Sequence, residues 1–346
     1  MRAATVPAVS SARPRQVLAT VLAAAIVGGS PPAAASSLWV HAAAAVAIAA
    51  PPTAPPVAAS EPLTLQARID AVLAAPALAG AVIGVHVVDL ASGAVLYTRN
   101  ADTPQNPASN VKLVTTAAAL ALLGPEHRYV TRVYIDRKTL HGHSVDGDLY
   151  LRGGGDPSLI TADLYQLASD LRALGIHKVS GGLVLDTTQF DRDELPPGFD
   201  QKDELAAYRS PGGALSVNFG TYVVLARPGG KEGDPVLAAV DPPVPSIQLT
   251  NKATTEPGAR TRLRVAVEPD PRGHDLRVEL SGTLGVDAEP AEYRYPVAGP
   301  AEYTGEVFRL VLAQRGVKLG KPGVRLAAVP DDAERVAIVR SQPLSV

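Results

Sequence analysis

The chain contains no cysteine, a single methionine and a single tryptophan, and only 4% of its 346 residues are aromatic. Without cysteine there is no disulfide framework, no thiolate zinc site and no thiol nucleophile, so any catalysis falls to Ser, Thr, Lys, His or carboxylates. An excess of one charge is lacking too. Lys plus Arg number 32 against 34 Asp plus Glu, a net charge of −2, which offers no global electrostatic grip on nucleic acid or an anionic bilayer. What is abundant is apolar and turn-forming: 46% hydrophobic residues, 31 Pro and 30 Gly. That composition belongs to a globular chain with many turns, long enough for two or three domains.

The N-terminus reads as an address. Arg2, Arg13 and Arg15 precede an eleven-residue apolar run, Val17 to Val27, which Gly28, Gly29, Ser30, Pro31 and Pro32 terminate before the small residues Ala33 to Ala35. A basic region, a short apolar region and a small-residue cleavage site form a secretory signal in that order. The run is well short of the roughly 20 residues a spanning helix needs. We therefore assign residues 1–35 to a signal peptide and 36–63 to an Ala/Pro-rich linker, extended from Pro51 to Pro62. Export places the mature chain in the periplasm or the extracellular cell-wall space, with no spanning segment left after cleavage. The plainer alternative is a structureless Ala/Pro leader.

Beyond the linker the periodicities are clear. Leu65, Ile69, Val72 and Leu73 recur at helical spacing behind a capping Thr64. Residues 80–90 and 94–99 flank Ala91-Ser92-Gly93 and read as a hairpin. A polar loop over 100–107 leads into an Ala/Leu-rich helix from Ser109 to Leu123, stopped by Gly124-Pro125 and apolar on nearly every side, as in a buried helix. Short strands follow at 129–136, 147–152, 182–186, 222–226, 261–267 and 276–281, interrupted by helices over 161–174 and 301–315. There is no internal repeat.

Ser109-Asn110-Val111-Lys112 is the first candidate for chemistry. Ser109 stands where loop becomes helix, in the positive field of unpaired N–H groups, and Lys112, three residues on, shares its face. A nucleophilic serine needs such a neighbour to take its proton as it attacks a carbonyl. The competing reading is an N-cap serine beside a surface lysine, since Ser-x-x-Lys arises by chance about once in a chain this long. Other motifs favour structural readings. Gly153-Gly154-Gly155 runs into Asp156-Pro157 with no Gly-Lys-Ser/Thr, so a turn is preferred to a phosphate loop. His141, His143, Asp146 and Asp148 resemble a metal cluster, but a polar hairpin loop explains them and no metal site is assigned. His86 lies in a β-branched strand, and no Ser-His-Asp triad emerges from spacing.

Context strengthens the first motif. The run Pro107-Ala108-Ser109-Asn110-Val111-Lys112-Leu113-Val114-Thr115-Thr116-Ala117-Ala118-Ala119-Leu120 resembles the active-site segment of the serine D-alanyl-D-alanine carboxypeptidases/endopeptidases, the class C low-molecular-mass penicillin-binding proteins. Residues 147–159 with the Gly-Gly-Gly-Asp-Pro run, 181–186 with Phe190, Tyr208 with 214–218, and Arg340-Ser341-Gln342-Pro343-Leu344 resemble further segments of that family. The resemblance runs from about Leu65 to Val346. It implies an α+β fold, a partial penicillin-binding-protein/β-lactamase-like domain in which a helix packs on an antiparallel sheet, with nested strand-rich inserted domains. On this basis 64–125 is the N-terminal part of the acyl-serine domain, 126–335 the insertion (with about 156–243 nested inside another), and 336–346 the start of the return.

The activity implied is D-Ala-D-Ala carboxypeptidase or endopeptidase chemistry on peptidoglycan through an acyl-enzyme. Ser109 is then the nucleophile and Lys112 the base, peptidoglycan stem peptides and β-lactams are the partners, and no cofactor is called for. In actinomycete-type members an Asp and a Tyr five residues apart help recognise the diaminopimelate side chain. Asp203 and Tyr208 have that spacing and are carried over as substrate-binding residues, against a loop carboxylate and a half-buried aromatic.

One apparent match is misleading. Ser216-Val217-Asn218 has the form of the family's Ser-x-Asn, but the catalytic copy in the family follows the Ser-x-Pro-Leu segment, whereas Ser216 precedes it. After Ser341-Gln342-Pro343-Leu344 only Ser345 and Val346 remain, and no Lys-Thr-Gly occurs. The expectation is a C-terminally truncated member of impaired or no activity, with an unpaired edge on the 80–99 hairpin and an uncovered face on the Ser109 helix. The rival from another class is a non-catalytic envelope protein that binds peptidoglycan or a partner through its inserted domains; a third is a pseudogene product that does not accumulate.

Overall fold

The computed structural model describes residues 64–191, 193–196, 205–271 and 273–346, so the signal and linker assignments lie outside the described residues. The fold is mixed α+β, and the chain divides between Thr116 and Ala117 into two compact units.

The described part of the smaller unit begins with α1 (Leu65–Leu73), capped by Thr64, whose hydroxyl accepts from the Ala67 N–H at 3.3 Å. Antiparallel strands β1 (Val85–Val88) and β2 (Val95–Arg99) form a two-stranded sheet. Tyr97, the only buried residue among the described residues of this unit, donates its hydroxyl to Asp70 of α1 at 2.5 Å. Helix α2 (Val111–Leu123) crosses the boundary between the units.

The larger unit runs through β3 (Val130–Ile135), β4 (Leu140–His141), β5 (Ser144–Val145), β6 (Leu149–Arg152), α3 (Thr161–Ala173), β7 (Lys178–Val179) and β8 (Leu183–Asp186). There follow β9 (Thr221–Arg227), β10 (Leu237–Asp241), β11 (Ile247–Asn251), β12 (Thr254–Glu256), β13 (Thr261–Pro269), β14 (Leu276–Gly285) and β15 (Ala291–Pro296). The unit closes with α4 (Pro300–Gln314), β16 (Lys318–Leu319), β17 (Val324–Leu326) and β18 (Glu334–Arg340). These strands build a five-stranded sheet ordered β17-β8-β6-β3-β18 and a four-stranded one ordered β16-β7-β5-β4. A three-stranded sheet has the order β10-β9-β15, and in the last sheet β14 pairs with β11, β12 and β13.

Helical spacing decides which faces are buried. In α3, Leu164, Leu167, Ala168 and Leu171 recur at i, i+3, i+4 and i+7 and are fully buried, facing α4, which contributes Tyr303, Val307, Phe308 and Val311. Strand β8 lies beneath, buried along its whole length, as a central strand covered on both faces must be. The sequence periodicities at 161–174 and 301–315 thus mark the two helices that cover the main sheet.

The Gly-rich run is a packing device. A Cβ on Gly153 would collide with the carbonyl oxygen of Ala214, one on Gly154 with that of Val130, and Gly155, at φ +74°, lies against the Phe190 ring. The backbone is held there by hydrogen bonds from Gly153 N to Asp186 O at 3.1 Å and from Gly155 N to Ala214 O at 3.0 Å. The polar cluster nearby is equally structural. Gly142, at φ +58°, turns the chain between β4 and β5. His143 Nδ1 lies 2.8 Å from Gly175 O and its ring stacks on His177. Asp148 accepts from Arg325 and from the Gly182 N–H, both at 2.8 Å. Burial works to raise its pKa, but these two bonds outweigh it and hold the carboxyl below the usual range.

A second charged contact joins separate sheets. Glu306 of α4 accepts from the N–H and hydroxyl of Ser246, just before β11, at 3.2 and 2.5 Å, and faces His274 Nε2 at 3.7 Å, just before β14. The facing Glu306 carboxylate raises the His274 pKa against the opposing effect of burial. Burial would raise that of Glu306, but the facing His274 and the bonds from Ser246 prevail and lower it.

Two predictions follow from these contacts. Gly153→Ala lowers the unfolding free energy by about 1–3 kcal/mol, because backbone must move to admit the methyl group; Gly273→Ala, where nothing lies within 4 Å, stays within about 0.5 kcal/mol. Urea midpoints measure both. The contribution of His274 is fully present below its unfolded pKa, about 6.5, and is lost as pH rises through the raised folded value; that of Glu306 is present above about 4.3 and is lost as pH falls. The thermal midpoint of the wild-type chain accordingly benefits most between those pH values, and His274→Gln removes the upper-side decline in a pH series of melting curves.

Candidate active site

Ser109 is presented by a short 3-10 turn, Ala108–Asn110, that leads straight into α2. The turn is set by its predecessor: Asn106 Oδ1 accepts from the Ala108 N–H at 3.0 Å, and Asn110 N donates to Pro107 O at 2.8 Å. Asn-Pro is a turn-initiating pair, and Asn106 stands within the polar loop that the sequence marks between hairpin and helix. Ala108 pays a conformational cost for this arrangement. Its φ of +43° lies in the left-handed region, where an L-residue with a Cβ is strained by roughly 1–2 kcal/mol. Such strain next to a candidate nucleophile aims the following side chain in a direction that a regular helix start would not give.

One turn into the helix, Lys112 Nζ meets Ser109 Oγ at 3.2 Å, with the lysine as donor. Both residues are exposed. The i, i+3 spacing therefore brings together the pair that the sequence singled out, at a distance suited to proton transfer once the amine is unprotonated and the contact runs in the opposite direction.

The rest of α2 matches one sequence expectation and departs from another. Its composition is that of a buried helix, yet the helix buries no residue, in line with the uncovered face expected for it: Leu113 is 72% exposed, Val114 70% and Leu122 84%. Among the described residues of the smaller unit the only strands are β1 and β2, so its sheet has two open edges. An all-round apolar helix signals that a partner is needed; it does not supply one.

The other sequence candidates separate from this pair. Asp203 lies outside the described residues. Tyr208 sits in a 3-10 turn, Ala207–Arg209, of the larger unit and is 72% exposed. Asn218 of the misleading Ser-x-Asn is committed to α3: its Oδ1 accepts from the Thr161 N–H at 3.0 Å and its Nδ2 donates to Thr161 Oγ1 at 2.9 Å. Ser341, of the Ser-x-Pro-Leu segment, is bound to Tyr129, whose N–H donates to its Oγ at 2.9 Å. His86 lies on β1, exposed. No group of three or more metal-binding side chains occurs among the described residues.

Comparison with known proteins agrees with the family resemblance. The profile of the D-Ala-D-Ala carboxypeptidase 3 (S13) family matches residues 65–346. A D-alanyl-D-alanine carboxypeptidase from Actinomadura sp. (strain R39) is 37% identical over 290 residues, covering 81% of this chain and 53% of that protein. Penicillin binding protein 4 (dacB) from Haemophilus influenzae superposes with a TM-score of 0.59 at 24% identity, covering 75% of this chain and 56% of that one. The same protein complexed with a novel beta-lactam gives 0.53 at 22% identity, over 75% and 55%. The chain spans about half the length of the curated relatives it matches.

Because α2 buries nothing in the chain as it stands, replacing an apolar residue on it should leave stability almost untouched. Leu122→Gln is expected to change the unfolding free energy by less than about 0.5 kcal/mol and to reduce binding of a hydrophobic dye. A loss of several kcal/mol in urea denaturation would show that the helix is packed.

Proposed function

The chain belongs to the D-Ala-D-Ala carboxypeptidase 3 (S13) family, and from that premise we propose that it carries the nucleophile and base of a serine-type D-Ala-D-Ala carboxypeptidase or endopeptidase of peptidoglycan metabolism. The observation that supports this most directly is the 3.2 Å contact between Ser109 and Lys112 at the strained start of α2. In this reading Ser109 Oγ attacks the carbonyl carbon of the penultimate D-Ala while unprotonated Lys112 takes the hydroxyl proton. As the C–N bond breaks, the proton held by Lys112 goes to the leaving nitrogen, the terminal D-Ala departs as an amine, and water releases the acyl group from Ser109 as a carboxylate. A β-lactam carbonyl would acylate the same oxygen. Asp203 and Tyr208 are assigned to binding the diaminopimelate side chain of the stem peptide. Residues 126–335 are read as inserted into the acyl-serine domain begun by 64–125 and resumed at 336–346.

We place the mature protein outside the cytoplasm, where its substrate is, after removal of residues 1–35. None of the described helices is long and apolar enough to cross a membrane. For the 346 residues themselves we propose impaired turnover. No Lys-Thr-Gly occurs among them, and Asn218 of the one internal Ser-x-Asn is occupied in capping α3. An oxyanion donor alone accounts for about 100- to 1,000-fold in turnover, so a site without the family's Ser-x-Asn and Lys-Thr-Gly motifs turns over very slowly.

Labelling with a fluorescent penicillin, followed by peptide mapping, tests the assignment. The expected result is slow, substoichiometric label at Ser109 that Ser109→Ala abolishes and Lys112→Ala reduces at least about 100-fold in rate. Label that persists in Ser109→Ala would overturn it. Absence of label together with retained binding of muropeptides would favour the non-catalytic envelope protein instead.

A further inference from the structure

The larger unit holds a groove of about 550 Å3 between the N-terminus of α3, the C-terminal half of α4 and one face of the three-stranded sheet. All of its residues lie within 160–314, so it contains neither Ser109 nor Lys112. Its floor is organised by strand register. Val223 on the central strand β9 pairs with Asp241 on β10 and with Arg294 on β15, so these three residues form one row across the sheet. With strands about 4.8 Å apart, an acid and a base stand on the same face, their Cα atoms about 10 Å apart, with an apolar valine between them.

Both residues are exposed. Asp241 and Arg294 have no ion-pair partner among the described residues. Arg294 is steered by one hydrogen bond to the buried Thr221 hydroxyl at 3.2 Å, and that hydroxyl donates to Asn218 O at 2.7 Å. The rim carries a third unexplained feature. Asn218, Phe219 and Gly220 are all left-handed, at φ +54°, +61° and +61°. Asn218 offsets its strain by capping α3 and Gly220 has no Cβ to strain, but Phe219 is a bulky residue held in that conformation and 65% exposed at the mouth of the groove. A strained backbone that keeps an aromatic ring in water beside unpaired charges is a feature of ligand sites more than of packing.

We propose that this groove binds a short zwitterionic peptide, its carboxylate on Arg294, its amine on Asp241 and its apolar portion over Val223 and against Phe219. Two oppositely charged residues whose Cα atoms are about 10 Å apart suit the ends of a peptide of two or three residues, at roughly 3.3–3.6 Å per extended residue. A neutral saccharide would leave both charges without a counter-charge. If the chain acts on peptidoglycan as proposed above, stem peptides released from the glycan, whose N-terminal amine is free, are the natural occupants, and the groove is a second site that holds them without cutting them.

The test uses the full chain with Ser109→Ala, so that binding is read apart from acyl-serine chemistry, and the alanyl-γ-glutamyl-diaminopimelic acid tripeptide in a calorimetric titration. Saturable binding is expected, weakened at least about tenfold by Arg294→Gln, by Asp241→Asn or by Phe219→Ala. Because a variant could perturb folding, the ligand is altered as well: N-acetylation or carboxyl amidation of the tripeptide should weaken binding to the otherwise unchanged chain to the same degree. Undetectable binding, indifference to capping, or preference for a tetrasaccharide of N-acetylglucosamine would overturn the proposal. Penicillin labelling of the wild-type chain reports on the catalytic assignment separately, so either idea can fail alone.

Discussion

The antiparallel pairing of β3 with β18 is the constraint on which most of the larger unit depends. It sets Val130 against Arg340 and Ile135 against Glu334, strands separated by about two hundred residues of chain. Closing so long a loop is entropically costly, though the cost grows only logarithmically with length, and the pairing is reinforced beyond the strand ends. Arg128 donates to Ser341 O at 2.8 Å, Ser341 N to Tyr129 O at 3.0 Å, and Leu344 N to His127 O at 3.1 Å. Once these strands are fixed, everything between them is an excursion that leaves and re-enters the same sheet. The Gly153–Gly155 run belongs to that economy, since β6 can pass close to the segments bearing Val130 and Ala214 only where no side chain intervenes.

Within the excursion, α4 does the joining. One face covers β8 and α3, while Glu306 reaches Ser246 and His274 at the start of β11 and β14. Thr304 accepts from Val217 N at 3.0 Å, and Tyr303 donates to Thr221 O at 3.1 Å. A single helix thereby fixes the main sheet, the three-stranded sheet and the β11–β14 sheet relative to one another. Polar contacts do this at the helix flank while apolar residues fill the core, a division that keeps the buried polar groups of the junction satisfied.

What could be read from the sequence follows from the range of the interactions involved. The spacing of Leu164, Leu167, Ala168 and Leu171, the Thr64 cap and the β-branched runs of the longer strands are local, and each corresponds to an observed element. The two-residue strands β4, β5, β7 and β16 are too short to carry a period; β4 and β5 form a local antiparallel pair, but the parallel pairing of β5 with β7 and of β7 with β16 depends on partners far away in the chain. The apolar composition of α2 illustrates a related limit: it states what a helix requires, and only tertiary structure says whether it is met, so the uncovered face is expected from the motifs and not from the periodicity. The groove at Asp241 and Arg294 had no sequence signature at all, because the row that joins them to Val223 exists only through register. Asn218-Phe219-Gly220 gave a partial hint, since Asn and Gly favour left-handed turns, though nothing in the triplet indicates that the phenylalanine would be held there as well.

The same distinction governs the catalytic assignment. A serine and a lysine three residues apart on one helix turn are brought together by local structure alone, so Ser109 and Lys112 meet even though α2 buries no side chain. Transition-state stabilisation is not local in this sense: oxyanion donors and a carboxylate-binding strand must come from chain remote in sequence and be held to within a fraction of an ångström. Nucleophile activation without that surround gives an oxygen able to react with a strained, intrinsically electrophilic carbonyl such as a β-lactam long before it can turn over an unstrained peptide. On the proposed assignment the two reactions make different demands on the same serine, and acylation by penicillin would report on the local half of the site while release of D-alanine would report on the whole.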